Sequence, residues 1–345
     1  IETMKSIAVF NNKGGVGKTT LLCNIVTCLK DHNQRVLVID ADPQCNSTIY
    51  LFTQEQIERM YSDRSKKTIY DLVSPIMKNI SNQEYATLPV EHSDGFDVDV
   101  IIGDTKLALA EDLFSNEWIS LNTSFKERSL NSTFFLKRIF HGLEKQYDYV
   151  FFDMGPSLGS LNRMILLNCD YFIIPMSSDI FSIKAIDNIG ISLRKWKKYI
   201  DMVLSETKVE NDGADFSIDG NTLSVNPVFL GYVSQQYNTK TTAGVKQPVK
   251  AYDRLIQKMP EKIEECLKDF YDNHIGKDSL CIGSIPTMNS LIPLSQMASK
   301  PIFKLSGKDG VVGAHFKKVQ DSKQVFDTIV NRLLNSINYY DRLER

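Results

Sequence analysis

The stretch Ile7-Ala8-Val9-Phe10-Asn11-Asn12-Lys13-Gly14-Gly15-Val16-Gly17-Lys18-Thr19-Thr20 decides the fold. An apolar run, Ile7–Phe10, leads into a glycine-rich turn, and a helical pattern covers Thr19–Lys30. Strand, glycine-rich loop and helix form the context in which G-K-T-T cradles phosphate. Glycine reaches backbone conformations closed to other residues and keeps side chains away from a ligand. Successive N–H groups then point at phosphate oxygens, and the helix N-terminus adds partial positive charge. The nucleotide-binding candidates are therefore Lys13, Gly14, Gly15, Val16, Gly17, Lys18, Thr19 and Thr20. Lys18 is placed to reach the β and γ phosphates, and the Thr19 hydroxyl to ligate Mg²⁺. Asn12 occupies the first glycine position of an ordinary loop of this kind, and a second lysine, Lys13, follows it. Position alone leaves two readings of Lys13. It is a solvated surface lysine, or it reaches the phosphates of a second subunit, as an arginine finger does in trans.

Outward from this loop, apolar runs recur at Val36–Ile39, Val98–Ile102, Tyr149–Phe152, Phe172–Ile174, Val228–Val233 and Leu280–Ile285. Short continuous runs suit strands covered on both faces. Helical patterns at Ser132–Lys145, Leu161–Leu167, Lys184–Tyr199, Pro248–Asp272 and Ser322–Tyr340 alternate with them. The expected fold class is α/β, a doubly wound and mainly parallel sheet flanked by helices, with helical and loop insertions. One domain over 4–345 is expected, with insertions near 54–82, 206–226 and 246–274. The second insertion carries D-G turn signals at Asp212-Gly213 and Asp219-Gly220. The first reads as polar and helical, and the third as a long charged helix. The last helix shows Val325, Phe326, Ile329, Val330, Leu333, Leu334 and Ile337 as one stripe, most simply a packing face.

Two further strands end in carboxylates, and ligands bind at such strand ends in doubly wound folds. Val36–Ile39 leads to Asp40-Ala41-Asp42-Pro43-Gln44. Asp42, at the expected exposed end, is the candidate to orient or deprotonate an attacking water, which sets Asp42 beside Lys18 as catalytic candidates, with Lys13 joining them only on the second of its two readings. Asp40 either contacts Mg²⁺ through water or braces the loop. Tyr149-Val150-Phe151-Phe152-Asp153 is an apolar strand ending in aspartate, so Asp153 is expected to hold Mg²⁺ through a water. Gly155-Pro156-Ser157-Leu158-Gly159 follows and can move in response to a γ-phosphate.

With 345 residues, 42% of them hydrophobic, the chain can bury a large core. A formal net charge of −2 does not mark a dedicated nucleic-acid binder. Cysteines at 23, 28, 45, 169, 266 and 281 form no C-x-x-C pair and read as reduced core residues of a cytoplasmic protein. No run of 18 apolar residues is present, and the first strand begins almost at once, so no signal peptide is expected.

The K-G-G-V-G-K-T-T loop, D-A-D-P-Q and F-F-D-M-G-P-S-L-G together resemble the ParA/Soj/MinD superfamily of deviant Walker A P-loop ATPases, with the ParA/Soj partition branch nearest. Pro175–Ser182, Leu230-Gly231-Tyr232-Val233 and Ile285-Pro286-Thr287 extend the likeness, whereas the insertions fall outside it. The resemblance implies cofactors ATP and Mg²⁺, slow hydrolysis stimulated by an activating partner protein, and a face-to-face homodimer with two ATP molecules between the subunits. Lys13 would then be the signature lysine that crosses to the partner's nucleotide, and Gly14 would lie against the partner. Thr20 would contact the α-phosphate. Pro286, Thr287 and Asn289 would approach the adenine. Partition proteins often carry arginine for non-specific DNA where this chain has Lys240 and Thr287. Lysine still attracts phosphate, which makes Lys240 the DNA-binding candidate; threonine does not.

The resemblance implies a switch in DNA or plasmid partitioning or cargo positioning, nucleoid-associated if DNA is bound. The alternative is a ParA-like ATPase recruited to a mobile-element or defence module through a protein partner. A MinD-like membrane switch would need a basic amphipathic C-terminal helix, and Asn331–Arg345 mixes Asp341 and Glu344 with its arginines, so no membrane binding is expected. An electron-donating iron protein would need paired cysteines near Cys169, and an amidating synthase a further domain. Basic residues cluster at Arg194, Lys195, Lys197 and Lys198, at Lys246, Lys250, Arg254 and Lys258, and at Lys300, Lys304, Lys308, Lys317 and Lys318.

Overall fold

The first strand, β1 (Lys5–Val9), is the middle of a sheet whose two faces are both buried. The structure, a computed structural model, describes residues 3–79, 85, 87–235 and 247–344, with the backbone alone for 247–252. Lys240 and Lys246 lie outside the described residues, as does the Lys250 side chain. In chain order, β1 is followed by α1 (Lys18–Asp31), β2 (Val36–Ala41), α2 (Asn46–Leu51), α3 (Gln54–Ser62), α4 (Ile69–Met77), β3 (Glu91–Ser93) and β4 (Val98–Ile101). Next come α5 (Ala110–Ser120), α6 (Lys126–Thr133), α7 (Leu136–Leu143), β5 (Tyr149–Met154), α8 (Ser160–Asn168), β6 (Tyr171–Met176) and α9 (Ile180–Glu210). The chain continues through β7 (Ser217–Ile218), β8 (Asn221–Thr222), β9 (Val228–Gln235), α10 (Gln247–Leu267), β10 (Cys281–Ile285), α11 (Leu291–Ala298) and α12 (His315–Leu343).

Among the described residues, eight strands form one sheet in the order β10-β9-β6-β1-β5-β2-β4-β3. All neighbours are parallel except β3 with β4. Successive side chains of a strand point to opposite faces, and each face here meets helices. Phe172, Ile174 and Met176 of β6 join the core beneath α4 to α10, whereas Tyr171 and Ile173 join the core beneath α1, α11 and α12. The same division separates Val150 and Phe152 from Tyr149 and Phe151 in β5. This two-sided burial explains why the strands read as unbroken apolar runs.

Several boundaries differ from the sequence reading. The pattern over Ser132–Lys145 divides into α6 and α7 at the buried pair Phe134 and Phe135. Residues 69–77 are not a polar decoration, because Ile69, Leu72 and Val73 of α4 enter the core. The long charged helix stops at Leu267 and gives way to a 3₁₀ turn, Lys268–Phe270. The acidic segment begins as the end of α9 and then forms the β7–β8 hairpin, turning at Asp219 (φ 50°) and Gly220 (φ 80°), which is the positive-φ pair a tight D-G hairpin requires. The α12 stripe is a packing face: Phe326, Ile329, Val330, Leu333 and Ile337 are buried. At about 1.5–3 kcal/mol per buried large apolar side chain, that face belongs to the core and is not available to lipid. Among the described residues, no helix is long and apolar enough to cross a membrane. All six cysteines are free, and five are buried.

The approach of β9 to β10 depends on Gly231, whose φ is 141° and whose absent Cβ would lie 2.5 Å from the Leu280 carbonyl oxygen. Gly142, in α7, has no atom of the described residues within 4 Å of where its Cβ would stand. Gly231→Ala is expected to lower stability by about 2 kcal/mol or more, whereas Gly142→Ala should raise it by up to about 1 kcal/mol. Urea midpoints of the two variants check this; equal shifts would refute the close strand approach.

Candidate nucleotide-binding site

The loop after β1 opens at the C-terminal ends of β1, β5 and β2, in line with the carboxylates of the last two. Parallel register places Val9 opposite Asp153 and Asp153 opposite Asp40. Asn11, fully buried, fixes the loop's start: its amide donates to the Pro175 carbonyl (2.9 Å), and its Oδ1 accepts from the Lys13 backbone N–H (2.9 Å). Gly15 and Gly17 take positive φ, 72° and 76°. Gly17 is the N-cap of α1 and offers no side-chain cap, and the first turn holds no acidic residue, so its N–H groups face the loop with no protein anion to claim them. Val16 is buried beneath the loop. Lys18 is 8% exposed, with its ammonium 3.4 Å from the Lys13 carbonyl. Burial lowers its pKa against the opposing pull of Asp153 and then Asp42.

Asp153 is fully buried, and its two oxygens differ. Oδ2 accepts from Thr19 Oγ1 (2.8 Å) and from Ser47 Oγ, whereas Oδ1 has no hydrogen-bond partner among the described residues. Asp40 is also fully buried. Its Oδ2 accepts from the Thr48 N–H (2.8 Å) and hydroxyl (2.6 Å), and its Oδ1 from the Asp42 N–H (3.2 Å). Burial raises the pKa of both carboxyls, and the charge of Asp153 pushes Asp40 further. Asp42 is not at an exposed end: it is 3% exposed, because the loop folds over it. It accepts from the Gln44 N–H (2.9 Å) and the Asn46 amide (2.6 Å), and it faces the Gly155 backbone.

A divalent cation suits this donor set. An orphaned buried carboxylate oxygen, a threonine hydroxyl beside it and two carboxyls made unfavourable by burial form an oxygen-rich site that positive charge would relieve.

The Gly155–Gly159 loop is clamped at both ends. Asn162 donates to the carbonyls of Gly155 (2.7 Å) and Ser157 (2.8 Å), and Glu111 of α5 accepts from the Ser160 and Leu161 N–H groups at the start of α8. On the other side of the phosphate loop, the Lys13 ammonium is paired with Asp179 and lies 3.1 Å from Ser177 Oγ. Asp179 in turn caps α9, accepting from the Phe181 (2.8 Å) and Ser182 (3.0 Å) N–H groups. Lys13 is thus neither freely solvated nor extended away from its own chain. Thr20, Pro286, Thr287 and Asn289 line one narrow cavity of ≈ 90 Å³ with Gly17 and Gln235.

Sequence reading missed Asn46, Ser47, Thr48, Ser177 and Asp179. The signal for the first three was present as a polar N-S-T run directly after D-A-D-P-Q-C, and Asp179 stands at a helix start within Pro175–Ser182. The basic helix face is partly engaged: Lys197 pairs with Asp201 (2.5 Å), and Arg194 donates to the Cys266 carbonyl (2.5 Å). Lys300 and Lys304 pair with Asp309 and Asp31 (both 3.1 Å). Cys169 is buried at the β6 N-terminus, the end of the strand remote from the phosphate loop.

Residues 4–205 match the family model described as an AAA domain. The sporulation initiation inhibitor protein Soj of Bacillus subtilis is 28% identical over 57% of this chain and 68% of its own length. Among solved structures, protein DIP2308 from Corynebacterium diphtheriae is 28% identical, with a TM-score of 0.68 over 86% of this chain and 97% of that one. The pNOB8 ParA bound to nonspecific DNA, 19% identical, shares the fold with a TM-score of 0.54 over 97% of this chain and 99% of that one. The motif-bearing loops, the mainly parallel sheet and the family match agree, and the chain belongs to the ParA/Soj/MinD family of P-loop ATPases.

Proposed function

We propose that the protein is a slow Mg-ATP hydrolase that works as an ATP-dependent dimeric switch, stimulated by a partner protein, in DNA or plasmid partitioning or cargo positioning. The α1 N-terminus and Lys18 bind the β and γ phosphates, and Thr20 contacts the α-phosphate. Thr19 and Asp153 would hold the cation, Thr19 by its hydroxyl and Asp153 through a water at the free Oδ1. A magnesium ion held there would supply charge neutralisation on the phosphates. Asp42 orients the attacking water beside Gly155. Of the two roles open to Asp40, bracing fits its fully engaged carboxylate. Pro286, Thr287 and Asn289 line the adenine end, and that cavity must widen to admit a base.

The observation that carries the switch is the pair Lys13 and Gly14. Among the described residues a Cβ on Gly14 would meet only Pro156, at 3.8 Å, and its φ is not positive, so none of them requires glycine there. A requirement imposed from outside, by a second copy closing over the loop, accounts for it. Lys13 rests on Asp179 of its own chain and crosses to the partner's nucleotide when that copy arrives.

A second reading, recruitment to a mobile-element or defence module through a protein partner, draws support from the neutral Thr287 and from the engagement of Arg194 and Lys197. DNA retention decides between them. Salt-sensitive retention that needs ATP supports partition; an ATP-dependent dimer that shows no retention even at low salt supports recruitment.

Sizing by light scattering should give a dimer with ATP and a monomer with ADP, and Lys13→Ala should remain monomeric with both. A Lys13→Ala dimer of normal stability would end the trans-lysine assignment, and no saturable Mg-nucleotide binding by the folded chain would end the whole reading. Asp42→Ala should cut hydrolysis about 100-fold or more with nucleotide affinity retained, measured by phosphate release; an unchanged rate would remove Asp42 from the chemistry.

A further inference from the structure

Ser47 is fully buried on the first turn of α2, and its hydroxyl donates to Asp153 Oδ2. The same oxygen accepts from Thr19, leaving Oδ1 without a partner. A carboxylate held by one donor can rotate about its Cβ–Cγ bond and exchange its oxygens. Two donors from separate elements, α1 and α2, fix which oxygen stays free. The neighbouring residue, Asn46, holds Asp42 Oδ2 (2.6 Å), so consecutive side chains grip the two carboxylates assigned to water and to cation. The chain reaches them through Cys45, which takes φ 56° to turn from the Asp42 loop into α2. A displacement of that loop therefore acts on Asp153 as well as on Asp42.

We propose that Ser47 is a positioning residue for the magnesium site: its hydroxyl locks the Asp153 carboxylate with Oδ1 available and couples cation binding to the Asp42 loop. The inference rests on the Mg-nucleotide reading above. A buried serine that merely satisfied its own hydroxyl would affect folding stability without altering the response to magnesium.

The test uses the full chain and a fluorescent adenine nucleotide, titrated with magnesium after EDTA treatment. Ser47→Ala and the near-isosteric Ser47→Cys should raise the magnesium midpoint about tenfold and leave the metal-free nucleotide affinity unchanged. Ser47→Thr, which keeps a hydroxyl, should stay near the unmodified value. A normal midpoint in either Ser47→Ala or Ser47→Cys overturns the inference alone. So does a loss of nucleotide affinity in both variants that is equal with and without magnesium. Absence of any magnesium response in the unmodified chain overturns the Mg-nucleotide reading, and this inference with it.

Discussion

The Asp153 carboxylate, at the end of β5, is where the elements of the site meet. Thr19 brings α1 to it, Ser47 brings α2, and strand pairing sets Asp40 and Val9 on either side. None of these contacts is adjustable alone. The register of three parallel strands fixes the backbone positions, and a one-residue slip in any of them would invert its side chains between the two cores. Apolar packing on both faces opposes such a slip, so the core that stabilises the sheet also holds the site.

That placement is electrostatically costly without a ligand. Two carboxyls and a lysine are removed from water, and the shifts run in the direction each charge dislikes: Asp40 and Asp153 up, Lys18 down, with burial the leading cause in all three. Hydrogen bonds offset part of the cost. Thr48 and the Asp42 N–H serve Asp40, whereas Thr19 and Ser47 serve only one oxygen of Asp153. The unserved oxygen and the uncapped start of α1 are complementary deficits, one lacking positive charge and the other negative. A metal–triphosphate complex corrects both at once, which is a stronger physical reason for this ligand than either half supplies.

The parts legible in the sequence were those set by local chemistry. Seven core strands showed as apolar runs because both sheet faces are covered, and the phosphate loop showed because glycine and lysine spacing is enforced by the turn itself. The D-G pairs marked positive-φ turns for the same reason. What stayed hidden depends on tertiary placement. Asp179 looks like any helix cap until β6 sets it beside Lys13, and Ser47 looks like any serine until α2 folds under β5. The edge strand β3 gave no signal, since three residues with one exposed carry little alternation. The exposed end expected for Asp42 failed because a residue's place at the end of a strand does not say whether the next loop folds back over it.

The resting position of Lys13 bears on its proposed crossing to a second copy. Its partner, Asp179, is 42% exposed, and Lys13 itself 28%. Ion pairs with that access to solvent contribute about 0–1 kcal/mol, because water screens the attraction and ordering two side chains opposes it. A fully buried pair would cost several kcal/mol to break and would hold the lysine permanently at home. The geometry therefore orients Lys13 without committing it. Asp179 also loses little when the lysine departs, since its other oxygen remains bonded to the α9 N–H groups and the helix dipole favours its charge. A weakly held cation next to a helix start that keeps its cap is a contact that a more negative group, such as a triphosphate on a second copy, can win by competition without any unfolding of the chain that gives it up.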